Sequence, residues 1–542
     1  MKKFWVFCFL SSCILTHAQR DNSFPVIDVL HYTFNLQLND ENNNIKGEAI
    51  ISIKFLQTIP SFDLDMVKKN SSGRGMIVTG VKENNSHVSF LQEVETIHIY
   101  STAKAGDTVL YTISYAGIPA DGLIIDKNKY GHRTFFGDNW PNRAHNWLPC
   151  IDNPSDKASV DFIVTAPEHY QVISNGLQVE ENNLPNHFKL THWRETVDLP
   201  VKVMAIGAAD FAVNRAGDVD GIPVYSWVYP EDKDRGFHDY AMAKDILPFF
   251  IKNVGPYAYR KLANVQSKTQ FGGMENASAI FYYENSVGDR KLEALLVHEI
   301  AHQWFGNSAT EAGWQHVWLS EGFATYMTHL YLENKYGADT LQKRLQQDRD
   351  TVIAFSKKKY TPVVDSSVAS NFFQLLNANS YKKGGWILHM LRRKLGNAIF
   401  WLGIKNYYAQ YAGKNASTDD FRKIMEAVSG QDLQSFFQQW LFTAGHPVLK
   451  ISWKYDKAKK SVFITIEQTQ PVVFQFPLQM AIQSASGEML QTFLVKEKMT
   501  TIDIPLATKP LKILPDPNIN LLFEGTVGEV KYPGNQIFTN DN

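Results

Sequence analysis

The chain has 542 residues, which is too many for one ordinary hydrophobic core, so we expect two to four domains. Its 44% hydrophobic and 20% charged residues are typical of a folded globular protein and exclude a disordered or fibrous one. Lys and Arg number 54 against 55 Asp and Glu, so no global charge would attract nucleic acid or an anionic membrane. We therefore expect no nucleic-acid partner, and any substrate selectivity must be local.

The first residues have the pattern of a secretory signal peptide. Lys2 and Lys3 precede an apolar run over residues 4–15, and Ala18 is a small residue suited to cleavage. The apolar run is shorter than the roughly 20 residues that a membrane span needs. We therefore predict a signal peptide at residues 1–18, no membrane span, and export to the periplasm or the extracellular space.

Two of the three cysteines fall in this leader. Cys8 and Cys13 would leave with it, so only Cys150 would remain and no intramolecular disulfide could form. We interpret Cys150 as a structural thiol. A second export route is open, in which Cys13 is the lipid anchor of a lipoprotein. We rank it lower because Ile14 and Leu15 continue the apolar run where a polar tether is expected.

Hydrophobic periodicity divides the rest of the chain into three parts. Residues 19–211 contain short alternating stretches such as HYTFNLQL and TVLYTISY between Asn, Asp and Gly clusters, which indicates an antiparallel β domain. Residues 212–445 change to helical periodicity, as in LEALLVHEIAHQWF, and this indicates a mainly helical domain. Alternation returns over residues 446–530, which predicts a C-terminal β-sandwich. The predicted fold class is multidomain α+β.

The segment VHEIAHQWFG has the spacing of a metal site on a helix. His298 and His302 are four residues apart, so a helix places both imidazoles on one face, where they can bind one ion. Glu299 lies about 100° round the helix, close enough to act on a water without binding the metal. Catalytic zinc takes three protein ligands and leaves one position open. Glu321 in WLSEGFATY, where a second helix is predicted to begin, is the candidate third ligand.

This constellation predicts hydrolysis assisted by a metal. Zinc lowers the pKa of its bound water towards 7, so the Glu299 carboxylate could accept the proton and later give it to a leaving amine. No covalent intermediate is required. The bare H-E-x-x-H pattern would also fit an amphipathic helix with surface histidines, and Glu321 in its context makes the metal site the better interpretation.

Several segments together resemble the gluzincin aminopeptidases, the family that includes aminopeptidase N and leukotriene hydrolase. The matching segments follow the family order: LPCIDNPSDKAS from Leu148, GGMEN at residues 272–276, HEIAHQWFGN from His298, WLSEGFATY around Glu321, and YKKG at residues 381–384. They span most of the chain after the leader. The resemblance implies a short member with three domains and a thermolysin-like zinc catalytic domain at residues 212–445.

The resemblance also implies roles for individual residues. Glu275 would bind the free α-ammonium group of a peptide, and Tyr381 would donate a hydrogen bond to the oxyanion of the tetrahedral intermediate. The glycine backbone before Glu275 would lie beside the peptide as an added strand. Read alone, the glycines could form only a turn, and Tyr381 could be one more interfacial aromatic. The implied substrate-binding residues are Gly272, Gly273, Met274, Glu275 and Asn276.

One departure from the family pattern concerns the substrate's amino group. Many members have a second carboxylate for this group a few residues before the Pro-Cys segment, where this chain has Trp140. Asp138 lies two residues earlier. Recognition of the amine would then rest on Glu275, with Glu321 or Asp138 as further candidates.

The sequence thus predicts a secreted zinc aminopeptidase with one Zn2+ per chain, acting on peptides with a free N-terminus. Two alternatives stay open. One is hydrolysis of an epoxide or another small molecule at the same zinc site, which for a lipid would require a long apolar tunnel. The other is a binding protein without activity on the same scaffold, which the complete set of ligands and Glu299 disfavours.

Overall fold

The structure is a computed structural model, and it describes residues 25–530. The predicted signal peptide at residues 1–18, with Cys8 and Cys13, lies outside the described residues, so export stays a prediction. Among residues 25–530, no helix has both the length and the apolar character needed to cross a membrane. Cys150 is a free cysteine and is fully buried, in agreement with a structural thiol.

The N-terminal region is made of strands, as predicted from its alternating residues. In β1, every second side chain over most of its length is buried, as expected for a strand with one face on the core. An eight-stranded sheet in the order β13-β14-β11-β1-β2-β8-β4-β5 is accompanied by the sheets β12-β15-β10-β9 and β3-β7-β6. All pairs in these sheets are antiparallel except β1 with β11, which is parallel. The strands are β1 (Ile27–Gln37), β2 (Ile45–Phe55), β3 (Ser61–Asp65), β4 (Gly75–Glu83), β5 (Ser86–His87), β6 (Phe90–Gln92), β7 (Thr96–Tyr100), β8 (Thr108–Ile118), β9 (Leu123–Lys127), β10 (Arg133–Gly137), β11 (Ala158–Pro167), β12 (Gln171–Ser174), β13 (Leu177–Leu184), β14 (Phe188–Leu199) and β15 (Ile206–Ala209).

The middle region begins with a five-stranded mixed sheet, ordered β16-β17-β18-β20-β19, before the helices take over. The helical reading of residues 212–445 missed this sheet. The sheet was missed because its strands are buried. All six residues of β18 are buried, so this strand shows no alternation of period two in the sequence. The elements are β16 (Ala212–Val219), β17 (Ile222–Val228), α1 (Lys233–Tyr240), α2 (Ala243–Asn253), β18 (Leu262–Ser267), β19 (Gly273–Met274), β20 (Ala279–Tyr283), α3 (Leu292–His302), β21 (Thr310–Glu311), α4 (Trp318–Tyr336), α5 (Ala338–Ser356), α6 (Gly384–Leu395), α7 (Asn397–Tyr411), β22 (Asn415–Ala416), α8 (Thr418–Ser429) and α9 (Gln434–Phe437).

The C-terminal region forms the predicted β-sandwich. Its two sheets have the orders β27-β24-β23-β29 and β26-β25-β28. The buried side chains of the sandwich belong to the same hydrophobic core as the helices of the middle region, whereas the N-terminal strands share a second core with part of the five-stranded sheet. The strands are β23 (Val448–Asp456), β24 (Ser461–Gln468), β25 (Phe476–Ser484), β26 (Gly487–Val495), β27 (Met499–Pro505), β28 (Lys512–Pro515) and β29 (Glu524–Glu529).

Helix α4 is the central element of the middle region. Every residue from 318 to 332 is buried, so the helix is surrounded by protein on all sides. It crosses the start of α6 at two glycines, Gly322 and Gly384. A Cβ atom on Gly322 would lie 2.9 Å from the Cα of Gly384, closer than carbon atoms can pack. The crossing therefore requires glycine, and it fixes the position of α4 relative to the segment that precedes α6.

We predict that replacing Gly322 with Ala destabilises the protein, although Ala is the better helix former. The added methyl group meets backbone atoms that cannot rotate away, and overpacking of this kind costs roughly 1–3 kcal/mol. The matched control is Gly528→Ala, since a Cβ there has no heavy atom within 4 Å. The measurement is the melting temperature of the two variants. If the Gly322→Ala protein has the same melting temperature as the control and the wild type, α4 and α6 do not need this close approach.

Candidate functional site

The three predicted metal ligands meet at the contact between α3 and α4. His298 and His302 share one face of α3, and their Nε2 atoms lie 3.1 Å apart. Glu321 is in the first turn of α4, and its Oε2 lies 3.5 Å from Nε2 of His298 and 3.3 Å from Nε2 of His302. This is the group of His, Cys, Asp and Glu side chains within residues 25–530 that could hold a metal ion.

These separations fit a tetrahedral zinc ion. With bonds of about 2.0–2.1 Å, tetrahedral geometry places neighbouring ligand atoms about 3.3 Å apart. The Oε2 atom of Glu321 is buried and has no hydrogen-bond donor, so a cation would satisfy it. Burial lowers the pKa of His298 to about 4, so this imidazole is neutral, as a metal ligand must be. For His302, burial acts in the same direction, but the carboxylates of Glu321 and Glu275 outweigh it and raise the pKa to about 10. That stabilisation of positive charge again favours a cation at this point.

A second layer of contacts fixes the orientation of His302. Its Nδ1 lies 3.1 Å from the carbonyl oxygen of Phe305 and 3.0 Å from Oγ of Ser320. A proton on Nδ1 donated to this carbonyl leaves the lone pair of Nε2 free for the metal. Gly306 makes the turn possible, because its φ is 112° and a Cβ would collide with the Ser320 hydroxyl.

Glu299 lies beside the ligands and also touches the substrate-binding segment predicted from the sequence. Its side chain is buried, and this burial raises its pKa well above the usual value. A Cβ on Gly273 would collide with the Glu299 carboxylate, so glycine is required there by close approach to the base. At Gly272, by contrast, a Cβ would meet only Leu295 at an ordinary 3.7 Å.

The segment at residues 272–276 forms the rim of the five-stranded sheet. β19 consists of Gly273 and Met274, pairs with β20 on one side, and is the last strand of the sheet. Its outer edge therefore pairs with no other strand of residues 25–530. Gly273, Met274 and Glu275 line a cavity at the metal ligands, whereas Gly272 and Asn276 are not among the residues that line it.

Glu275 presents an unsatisfied carboxylate at this cavity. The side chain is 5% exposed, and its Oε1 is buried without a hydrogen-bond partner. Its backbone carbonyl accepts hydrogen bonds from Nδ2 of Asn307 (2.6 Å) and Nε2 of Gln303 (3.1 Å). The sequence reading missed these two supporting amides. The sequence feature that could have revealed them is the pair of polar residues on either side of Trp304, Phe305 and Gly306, shortly after His302.

Tyr381 is held over the cluster by one π-helical turn at residues 379–383. Its ring lies nearly parallel to that of His298, with 6.1 Å between centroids and 13° between planes. The neighbouring lysines anchor the turn: Lys382 pairs with Asp348 at 3.2 Å, and Lys383 donates to the carbonyl oxygen of Gly445 at 2.6 Å. Burial, reinforced by the nearby carboxylates, raises the pKa of Tyr381 well above its usual value. The phenol therefore stays protonated and can donate a hydrogen bond. Single π turns of this kind are frequent at functional sites.

The remaining wall of the cavity is apolar. Trp140, Phe271 and Leu376 line it together with Met274, and its volume is about 50 Å³. Neither the patterns nor the spacing of the sequence pointed to Phe271 or Leu376, because they come from irregular segments.

Asp138 is not available to a substrate amine. Its Oδ1 accepts a hydrogen bond from Arg143 at 2.6 Å, and its Oδ2 accepts from Oγ1 of Thr269 and from the backbone N–H of Gln270. The side chain is fully buried and is absent from the residues that line the cavity. Among the acidic residues considered from the sequence, Glu275 and Glu321 reach the cavity and Asp138 does not.

Comparison with known proteins agrees with the motifs. Residues 29–201 match the Peptidase M1 N-terminal domain and residues 240–440 match the Peptidase family M1 domain. Aminopeptidase M1 of Arabidopsis thaliana is 24% identical over 426 residues, which are 74% of this chain and 48% of that protein. Probable aminopeptidase 2 of Sulfurisphaera tokodaii is 26% identical over 459 residues (81% and 58%), and the mitochondrial aminopeptidase 2 of Saccharomyces cerevisiae is 24% identical over 527 residues (89% and 53%).

The chain spans about half the length of these relatives. The two matched ranges nevertheless cover most of the chain, and they include the metal ligands, Glu275 and Tyr381. The resemblance inferred from the motifs is thereby confirmed, and with it the multidomain α+β fold class. The chain belongs to peptidase family M1, the family of the gluzincin aminopeptidases.

Proposed function

We propose that the chain is a zinc-dependent aminopeptidase that hydrolyses the first peptide bond of its substrates. The observation that carries this proposal is one small cavity. The metal-ligand cluster, Glu299, the unpaired carboxylate of Glu275 and the Tyr381 phenol all line it, and the free edge of β19 runs along it. The names of the relatives support the same activity.

Each residue in the cavity has a definite task in this reaction. His298, His302 and Glu321 would hold the zinc ion, which supplies Lewis-acid polarisation of the scissile carbonyl and acidifies a nearby water. Glu299 accepts the proton of the attacking water and returns it to the leaving amine. Tyr381 donates its hydrogen bond to the carbonyl oxygen as that oxygen becomes negative.

Glu275 sets the end of the substrate. Its buried, unpaired carboxylate is matched by an α-ammonium group, and a blocked or longer chain would leave it without a partner. The wall formed by Trp140, Phe271 and Leu376 has no charged side chain, so it favours a first residue with an uncharged side chain. The polar lining formed by the metal ligands, Glu299 and Glu275 also favours a peptide terminus over a lipid epoxide, which would need a long apolar tunnel.

Glu299→Gln should abolish turnover and leave the metal site intact. The amide cannot accept a proton, and loss of a general base lowers the rate about 10²–10⁴-fold. The measurements are release of 4-nitroaniline from an aminoacyl 4-nitroanilide and the zinc content of the purified protein. The matched control is Glu293→Gln, a partly buried carboxylate in the first turn of the same helix that does not line the cavity. Wild-type turnover in Glu299→Gln with zinc bound would remove Glu299 from the chemistry.

Tyr381→Phe should lower kcat and change KM little, because the hydroxyl acts on charge that develops only in the transition state. The expected loss in kcat is about 10²–10³-fold, as for other oxyanion donors. Tyr360→Phe, which alters a half-exposed phenol elsewhere, is the control. Equal kcat in the Tyr381→Phe and wild-type proteins would show that the phenol is not the donor.

Glu275→Gln should raise KM for peptides with a free N-terminus and narrow the preference for free over acetylated peptides. A neutral amide no longer pairs with the ammonium group, and loss of a charge-assisted hydrogen bond costs about 1.5–3 kcal/mol. The measurement is kcat/KM for one peptide in free and N-acetylated forms, in both proteins. If the wild type cleaves both forms equally well, the enzyme is not an aminopeptidase.

A further inference from the structure

A second, larger cavity lies where the helical region meets the β-sandwich. This crevice of about 840 Å³ is bordered on one side by α6 and the α9 region and on the other by the sheet β26-β25-β28. Its volume is in the range of ligand-binding pockets, and boundaries between domains are a common place for them. Its floor is apolar, with the buried side chains of Met390, Trp440, Phe476 and Leu521.

Positive side chains enter the crevice from both walls. Arg393 and Lys394 come from the last turn of α6, and Lys496 follows β26 on the opposite wall. All three are exposed, and none forms an ion pair within 4.0 Å with a residue between 25 and 530. Asp432 is the one carboxylate among the lining residues. Arg393 and Lys394 could be explained by a favourable interaction with the dipole of α6 at its C-terminus. Lys496 belongs to the β-sandwich, so the helix dipole does not explain why it lines the same crevice.

One of the lining residues has an unsatisfied acceptor. Asn520 lines the crevice, and its Oδ1 is buried without a hydrogen-bond donor. The nearby carboxylate of Asp516 accepts hydrogen bonds from the backbone N–H groups of Asn520 and Leu521 and is not among the residues that line the crevice. A ligand that fits must therefore offer apolar groups to the floor and negative charge to both walls.

We propose that this crevice binds a peptide segment in which acidic side chains alternate with apolar ones. The apolar side chains cover the floor at Trp440 and Phe476, and the carboxylates pair with Arg393 and Lys496. A fatty acid carries one carboxylate and cannot pair with cations on both walls, so the observations favour the peptide.

The crevice is separate from the catalytic cavity. Helix α6 connects the two, and the nine-residue rise from Gly384 to Arg393 corresponds to about 14 Å along the helix axis. The catalytic cavity and the crevice share no lining residue. The bound segment therefore need not be a substrate, and this inference stands independently of the proposed catalytic activity.

The test is a titration of the Glu299→Gln protein with a fluorescein-labelled, N-acetylated and amidated peptide that alternates Glu with Leu and Phe. Acetylation removes the ammonium group that Glu275 would bind. Fluorescence anisotropy should show saturable binding that weakens as salt is raised. Reversing both charges in Arg393→Glu/Lys496→Glu should weaken binding at least about tenfold, since each attraction becomes a repulsion.

The matched control is Lys450→Glu/Lys457→Glu, which reverses two exposed lysines on and beside β23 in the other sheet of the sandwich. It should leave the affinity unchanged. A third variant, Leu494→Ser, removes an exposed apolar side chain of the crevice and should also weaken binding. Absence of binding up to about 1 mM, or equal loss in both charge-reversal proteins, would overturn the proposal. So would a crevice that binds dodecanoate and not the peptide.

Discussion

The burial of negative charge at one point is the constraint on which the structure of this protein depends. Glu275, Glu299 and Glu321 all line one small cavity, and no lysine or arginine lines it with them. A buried charge costs several kcal/mol unless it is paired, and a divalent cation between two imidazoles and a carboxylate is the pairing that this donor set allows. The packing around the cluster fixes its position, since residues 318–332 of α4 are buried on all sides.

Precision at the cluster comes from contacts that have no catalytic task. Ser320 and the Phe305 carbonyl orient one imidazole, and the adjacent Glu321 is fixed by the same turn of α4. One residue further, Gly322 lets α6 approach, so the π turn that holds Tyr381 lies against the helix that holds the third ligand. The proposed third ligand, Glu321, and the proposed oxyanion donor, Tyr381, are thus positioned by one helix crossing. Three consecutive residues therefore have different tasks: Ser320 orients an imidazole, Glu321 belongs to the metal-ligand cluster, and Gly322 allows the close helix packing.

The sequence predicted the parts of this site that obey a spacing rule. His298 and His302 are separated by one helical turn, and the prediction needed only helix geometry. The β-sandwich and the N-terminal region were predicted because their long strands, such as β1 and β24, bury alternate side chains and leave an alternating pattern. The sheet around β18 escaped prediction because burial on both faces removes that pattern. The apolar wall at Phe271 and Leu376 escaped it because residues far apart in the chain meet only after folding.

In the proposed reaction, Trp140 stands where many members of the family have an acidic residue, and this would change how a free amine is selected. With a second carboxylate, selection would come from attraction between opposite charges. Here Glu275 acts beside an apolar wall, and its Oε1 has no hydrogen-bond partner in the described structure. The carboxylate of Glu275 is already buried and partly unpaired in the described structure, so an ammonium group would relieve a cost on binding that a ligand without one would leave in place. In the proposed reaction, burial of this single carboxylate therefore favours substrates with a free N-terminus.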